Sequence, residues 1–376
     1  MTKIPFNKPS LVGRELQYVQ EALAANQLAG DGTFTKRCNA LIEDKTGGKR
    51  ALLTHSCTAA LEMAAILADL SPGDEVIMPS FTFTSTANAV VLRGATPVFV
   101  DIDPHTLNID PAAVANALTT RTRAITAVHY AGVIAEMDPL IQMARDRNLL
   151  LVEDAAQAYG STYRGRQAGS LGDIAAFSFH ETKNIICGEG GAIVLNRPEL
   201  TDRAEIVREK GTDRARFFRG EVDKYSWADM GSSFLPGELI AAFLLAQLEN
   251  EDGIRKTRMD IWGTYDRAFR PLIEIGRIDG PHIPDHCTGN GHMYYILLRD
   301  LKERTAFIEY MKEEKIHALF HYVPLHSSPA GRKFGRVASL LPITDNISDR
   351  LVRLPAYLSL GDEIQRVIER ALIFLR

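Results

Sequence analysis

Between residues 50 and 197 the chain repeats one unit, a short run of hydrophobes followed by a helical pattern. The runs are DEVIM (74–78), TPVFVDID (96–103), RAITAVHY (123–130), LLLVED (149–154), IAAFSFH (174–180) and GAIVLN (191–196). Helical periodicity fills 84–93, 111–118 and 138–148. A strand with no polar face must be covered on both sides, which predicts a largely parallel central sheet between two layers of helices. In such sheets, sites form beyond the carboxyl ends of the strands. Residues 250–376 differ, mixing helical patterns with short strands such as MYYILL (293–298) and ending in the amphipathic EIQRVIERALIFL. The expected organisation is α/β, with a large domain at 1–249 and a smaller α+β domain at 250–376. A length of 376 residues accommodates both.

Several function classes are excluded early. The net charge of -4 supplies no bulk positive field for nucleic acid. No apolar run approaches the roughly 20 residues of a membrane helix. The first residues, MTKIPFNKPSLVGRELQ, lack the apolar core of a signal peptide. Cys38, Cys57, Cys187 and Cys287 are scattered, with no CxxC pair, so no zinc site or disulfide framework is indicated. A reducing, cytoplasmic setting is the expectation. No GxGxxG follows a strand and opens a helix, which argues against a dinucleotide oxidoreductase.

Three elements end in polar groups where a site belongs. In THSCTAALEMAA (54–65), small polar residues open a helix whose free N–H groups could hold a phosphate; Ser56 or Thr58 is equally an ordinary N-cap. In LLLVEDAAQ, Asp154 closes a strand of hydrophobes and needs a partner such as a protonated ring nitrogen. Asp154 could also cap a short helix, on which Gln157 would share its face. In FSFHETKNIICGEGG (177–191), Ser178 and His180 share a strand face and Lys183 follows the strand end. Gly188, Gly190 and Gly191 then permit a tight return. A lysine there is desolvated into a nucleophilic amine or, as loop lysines usually are, faces solvent.

Together, a phosphate cradle, a carboxylate and a lysine match the needs of pyridoxal phosphate. The lysine binds the aldehyde, the carboxylate keeps the ring nitrogen protonated, and Phe83 could stack on the ring or simply pack in the core.

PSFTFTSTANAV, VFVDIDPHTLNID, AVHYAGVIAEMD, VEDAAQAYGSTYRGRQAGSLGDIAAFSFHETKN and GEGGAIV resemble the DegT/StrS-type sugar aminotransferases, pyridoxal-phosphate enzymes of fold type I. The resemblance runs nearly the whole chain. It implies Lys183 as the covalent cofactor lysine, Asp154 as partner of the ring nitrogen, and Gln157 on the phenolic oxygen. It also implies Phe83 over the ring, and Cys57, Thr58, Ala59 and Ser178 at the phosphate. Many members carry an asparagine that reaches the neighbouring subunit's phosphate; here Ser233 stands in its place. The resemblance further implies a homodimer with shared sites.

GTDRARFFRGEVDKYSWADMGSSFL and FHYVPLHSSPAG are similar to one branch, the dTDP-4-amino-4,6-dideoxygalactose transaminases of surface-polysaccharide synthesis. That branch implies a dTDP-linked 4-keto-6-deoxy sugar as acceptor and L-glutamate as donor. Arg219 and Tyr225 in the basic and aromatic 215–227 segment, with His321, Tyr322 and His326, are candidate sugar-nucleotide contacts. Some members of the family are dehydratases that replace the lysine by histidine; Lys183 argues against that chemistry. The intact lysine, aspartate and phosphate motifs argue against a non-catalytic regulatory module. His180 is a candidate catalytic support or a structural strand residue. Position C4 or C3, product stereochemistry and the nucleotide stay open at this level.

Overall fold

The computed structural model describes residues 2–376. Eight strands form the central sheet: β1 (Arg50–Thr54), β2 (Glu75–Pro79), β3 (Thr96–Val100), β4 (Thr122–Val128), β5 (Leu150–Asp154), β8 (Ile174–Ser178), β9 (Gly191–Leu195) and β13 (Arg336–Val337). Their order is β1-β9-β8-β5-β4-β2-β3-β13, and β9 alone runs against its neighbours. Two-residue strands β6 (Thr162–Tyr163) and β7 (Arg166–Gln167) pair with β10 (Cys287–Thr288) in a separate ribbon.

The strands are mainly apolar because successive side chains enter two different cores. Leu53, Ile77, Ile125, Leu151, Phe177 and Val194 pack beneath α1 (Glu15–Ala24), α2 (Thr33–Thr46), α5 (Pro111–Ala117), α6 (Met137–Arg147) and α9 (Glu238–Glu249). Leu52, Val76, Ala124, Val152, Ile174 and Ile193 pack beneath α3 (Cys57–Leu67), α4 (Thr84–Val91) and α7 (Thr201–Arg208). Burying each large aliphatic side chain contributes roughly 1.5–3 kcal/mol. The β4 pattern ends earlier than its apolar run: His129 and Tyr130 leave the ladder for a 3₁₀ turn, where Tyr130 is fully buried.

A second, antiparallel sheet has the order β11-β14-β12, from β11 (Tyr294–Leu297), β12 (Leu319–Phe320) and β14 (Leu351–Leu354). With α10 (Glu251–Glu274), α11 (Leu301–Glu313) and α14 (Glu363–Leu375) it builds its own core, which Ile4 joins from the N-terminal segment. The short helices α8 (Arg214–Phe218), α12 (Pro329–Phe334) and α13 (Pro342–Arg350) lie in the connections. Among the described residues no helix is long and apolar enough to cross a membrane. Nor, among the described residues, is any group of three or more His, Cys, Asp or Glu placed to hold a metal.

One buried carboxylate fastens a C-terminal segment onto the central sheet. Glu75, 2% exposed, accepts from Arg336 Nε at 2.9 Å and Nη2 at 2.8 Å, from Thr119 at 2.7 Å and from Arg121 at 2.5 Å. The Arg336 bonds in particular hold its pKa down at about 2. Glu75→Gln is expected to cost roughly 1.5–3 kcal/mol at neutral pH, from lost charge-assisted hydrogen bonds. Because the folded pKa is depressed, that contribution is complete above the ordinary carboxylate range and disappears as pH falls toward 2. The Tm difference between wild type and variant should therefore shrink between pH 7 and pH 3.

Candidate active site

The carboxyl ends of β1, β2, β4, β5 and β8 open onto a cavity of about 530 Å³, within the range of ligand sites. Cys57, Thr58, Phe83, Asp154, Gln157, Ser178, His180, Lys183, His321 and Tyr322 all line it. The large sheet supplies the first eight through its strand ends and the turns that follow them. The loop after β12 supplies His321 and Tyr322.

Helix α3 starts at the cavity. Its run CTAALEMAAIL is rich in strong helix formers, and its alanines let it lie close to the sheet. Ser56 is the N-cap, its Oγ accepting from the Ala59 N–H at 3.0 Å. Thr58 is thereby free of capping, and its hydroxyl meets Ser85 Oγ at 2.8 Å. Ala59 does not line the cavity and contributes only its N–H, already directed at Ser56. Gly191 explains the glycine cluster: a Cβ there would lie 2.4 Å from the Ser56 carbonyl carbon. Only glycine lets β9 begin against the first turn of α3. Gly188 turns the chain with φ +84.

Asp154 is 5% exposed at the end of β5. Oδ2 accepts from Thr86 Oγ1 at 2.8 Å, Thr86 in turn meets Thr82 Oγ1 at 2.9 Å, and Oδ1 accepts from the Ala156 N–H at 3.3 Å. Burial pushes its pKa up, and the Thr86 bond, the Ala156 N–H and the Lys183 charge only partly offset that. The carboxylate is thus short of positive charge and faces the cavity. Residues 155–158 form a turn and not a helix, so Gln157 does not share a helical face with Asp154. Gln157 is fixed instead by accepting from the Ala131 N–H at 2.7 Å and donating to the Tyr322 hydroxyl at 3.0 Å.

Lys183 follows β8 in a turn, where its N–H donates to the His180 carbonyl at 2.9 Å. Burial lowers its pKa, the nearby Asp154 carboxylate acts in the opposite direction, and Arg353 lowers it further. Ser178 Oγ accepts only a long 3.4 Å bond from the His180 N–H. His180 lies past the strand end, its Nδ1 accepting from the Thr182 N–H at 3.2 Å and its Nε2 lying 3.5 Å from Glu189. Phe83 is 60% exposed at the start of α4.

Four candidates lie away from the cavity within one chain. Arg219 is bound to Glu205 at 2.7 Å and Glu221 at 2.6 Å. Tyr225 is exposed beside Phe217, at 5.9 Å between rings. Ser233 is exposed and bridges to Glu209. His326 contacts Ser80 Oγ at 2.8 Å and Asp345 at 3.4 Å. Conversely, the cavity holds residues that sequence reading passed over: Thr82, Ser85, Arg258, His292 and Arg353. Thr86 joins the site through Asp154. The hydroxyl density of TFTST was the available signal for Thr82, Ser85 and Thr86; a cation inside the apolar LVRLP was the signal for Arg353.

An electron-poor ring with a protonatable nitrogen, an aldehyde and a phosphate fits this donor set. Asp154 lacks an ion-pair partner, Lys183 is an amine whose pKa burial lowers, and hydroxyls surround a helix N-terminus.

Comparison with known proteins agrees. The model of the DegT/DnrJ/EryC1/StrS aminotransferase family matches residues 9–372. GDP-perosamine synthase of Caulobacter vibrioides is 39% identical over 284 residues, 75% of this chain and 74% of that protein. The dTDP-4-dehydro-2,3,6-trideoxy-D-glucose 4-aminotransferase of Saccharopolyspora spinosa is 30% identical over 383 residues, 97% of each chain. Among solved structures, the PLP form of the sugar aminotransferase Spr1654 from Streptococcus pneumoniae superposes with a TM-score of 0.91. It is 27% identical and covers 100% of this chain and 99% of that one. The chain belongs to the DegT/DnrJ/EryC1/StrS aminotransferase family, and its cofactor is pyridoxal 5′-phosphate.

Proposed function

We propose that this chain moves the amino group of L-glutamate onto the ketone of a nucleotide-linked keto sugar. The observation that carries the reading is the convergence of Lys183, Asp154 and the first turn of α3 on one cavity. When bound, pyridoxal phosphate supplies an aldehyde that captures amines and a ring that withdraws electrons. Lys183 would hold the cofactor through Nζ and would serve as the proton carrier on one face of the site, an amine whose pKa burial lowers. Asp154 would hold the proton on the ring nitrogen, and that positive charge would offset the cost of its own burial. The α3 N-terminus with Ser56, Thr58, Ser85 and Ser178 receives the phosphate. Gln157 retains one free amide N–H for the phenolic oxygen, and Phe83 covers the ring at the cavity mouth.

The acceptor is proposed to be a 4-keto-6-deoxy sugar. The Saccharopolyspora relative is named for amination at C4 of such a sugar. The finer proposal is conversion of dTDP-4-dehydro-6-deoxy-D-glucose to dTDP-4-amino-4,6-dideoxy-D-galactose, on the resemblance of the 211–235 and 320–331 stretches to that branch. The nucleotide is the least constrained part, since relatives are named for both GDP and dTDP sugars. A homodimer is part of the proposal. Phe218, Tyr225 and Trp227 are 70%, 54% and 83% exposed in one chain, and a second copy would bring Ser233, Arg219 and Tyr225 to a neighbouring cavity.

The decisive experiment supplies dTDP- and GDP-linked 4-keto and 3-keto sugars with glutamate and assigns the product by NMR. The expected product carries an axial 4-amino group on a 6-deoxy sugar. Amination only of a 3-keto sugar would overturn the C4 proposal.

A further inference from the structure

One buried side chain outside the cavity ties together two turns that carry residues facing it. Asn290 lies between β10 and β11, where the chain enters the antiparallel sheet, and is 1% exposed. Its Nδ2 donates to the Gln157 carbonyl at 2.8 Å and to the Tyr159 carbonyl at 3.0 Å. Its Oδ1 accepts from the His292 N–H at 3.0 Å, and its backbone carbonyl accepts from Asn184 Nδ2 at 2.9 Å. Both N–H donors of the amide are thereby used, each on a backbone carbonyl more than 130 positions away in the chain. The side chain is seated against Gly132, where a Cβ would lie 1.9 Å from Oδ1.

Asn184 carries the strut to the lysine, which it directly follows in the turn after β8. The Asn290 carbonyl can only accept, so the Asn184 amide presents Nδ2 to it and Oδ1 to His292 Nδ1, 3.1 Å away. Oδ1 can only accept in turn, so Nδ1 carries the imidazole proton. Burial holds the His292 pKa well below the ordinary imidazole value, which keeps the ring neutral and leaves Nε2 as a lone pair on a cavity-lining residue. From the other side, Arg258 of α10 donates to the Gly291 carbonyl at 3.2 Å and the His292 carbonyl at 2.6 Å. Residues 290–292 are therefore held between α10 and the two turns.

We propose that Asn290, acting with Asn184, is a positioning residue that sets the spacing between Lys183 and Gln157, so that amine and amide meet one cofactor ring together. Asn290 does not line the cavity and acts only through these neighbours. The proposal rests on Lys183 being the lysine that bonds the cofactor aldehyde. Displacing a reacting group by about 1 Å costs on the order of 100-fold in rate, so a strut distant from the chemistry can still govern it.

The test measures binding of pyridoxal phosphate and of pyridoxamine phosphate to the cofactor-free protein. Only the aldehyde can bond to Lys183, so the ratio of the two dissociation constants reports where the amine stands. A general loosening of the fold weakens both ligands alike. Asn184→Ala removes the arm toward the lysine. Asn290→Asp keeps the shape, Oδ1 and the backbone carbonyl but loses the donors to Gln157 and Tyr159. Each variant is expected to reduce the preference for pyridoxal phosphate roughly tenfold and to slow growth of its visible band after mixing by roughly 100-fold. The double variant should lose less than the product of the two, because both break one connected strut. Equal weakening of the two ligands would overturn the proposal in favour of a purely structural role. Unchanged preference and band growth, or losses that simply multiply in the double variant, would overturn it too. If Asn290→Asp fails to fold, Asn184→Ala decides by the same ratio. A Lys183→Arg protein that still prefers pyridoxal phosphate would instead sink the lysine reading, a separate result.

Discussion

Lys183→Arg is expected to remove the visible absorbance of the bound cofactor and to lower turnover by roughly 10⁴-fold or more, since one side chain serves as both anchor and proton carrier. Arginine keeps the positive charge but stays protonated, so it can neither attack an aldehyde nor accept a proton. The surroundings tolerate the charge, because Asp154 is nearby and the cavity has room. The variant should therefore fold, and circular dichroism of the cofactor-free protein should match wild type. Retained absorbance together with retained turnover would remove Lys183 from its proposed role. A folded variant that still binds cofactor reversibly but does not react would separate the two duties of the lysine.

Asp154→Asn should move activity and stability in opposite directions. Turnover is expected to fall by roughly 10³-fold, because the neutral amide no longer holds a proton on the ring nitrogen and a preorganised charge is lost from the site. In the cofactor-free protein the same change should raise Tm by a few degrees. Burial raises the Asp154 pKa, so its ionised form is a cost to the fold. The sign follows from linkage. A carboxyl with a raised folded pKa destabilises the protein as pH rises through that pKa, and the penalty is absent below the unfolded value. The Tm gain of Asp154→Asn should accordingly be largest at neutral pH and vanish in acid. Cofactor should stabilise wild type more than the variant, because only the ionised carboxylate gains a cationic partner. A variant that loses Tm at pH 7 would indicate that Thr86 and the Ala156 N–H already compensate the charge. This is the form of trade-off in which a strained functional group is maintained at a cost to stability.

Much of the sheet was readable because its cause is local. LLLVED, IAAFS and GAIVL are apolar on both faces, and each side chain enters one of two cores according to parity alone. The motif residues at strand ends were readable for a related reason. A carboxylate, a lysine and a helix start beyond apolar strands have few structural explanations in common. What sequence could not supply was the pairing of polar groups across distance. Thr86 reaches Asp154 from 68 residues away, and Gln157 is fixed by Tyr322 from 165 residues away. No periodicity links such positions, and the choice at 155–158 of a turn over the alternative short helix accompanies the Gln157 contact with the Ala131 N–H.

The order of strands, the N-cap at Ser56 and the requirement for glycine at 191 illustrate the same division. Sequence by itself determined the alternating architecture, the candidate lysine, aspartate and phosphate cradle, and the absence of any apolar stretch of membrane length. Tertiary structure alone decided which of two hydroxyls caps α3. It also decided that Ala59, Arg219, Tyr225, Ser233 and His326 stand outside the lining of the cavity of a single chain. The physical reason is that alternation and strand-end chemistry are written in neighbouring residues, whereas satisfaction of a buried charge depends on which distant carbonyls and carboxylates the fold carries to it.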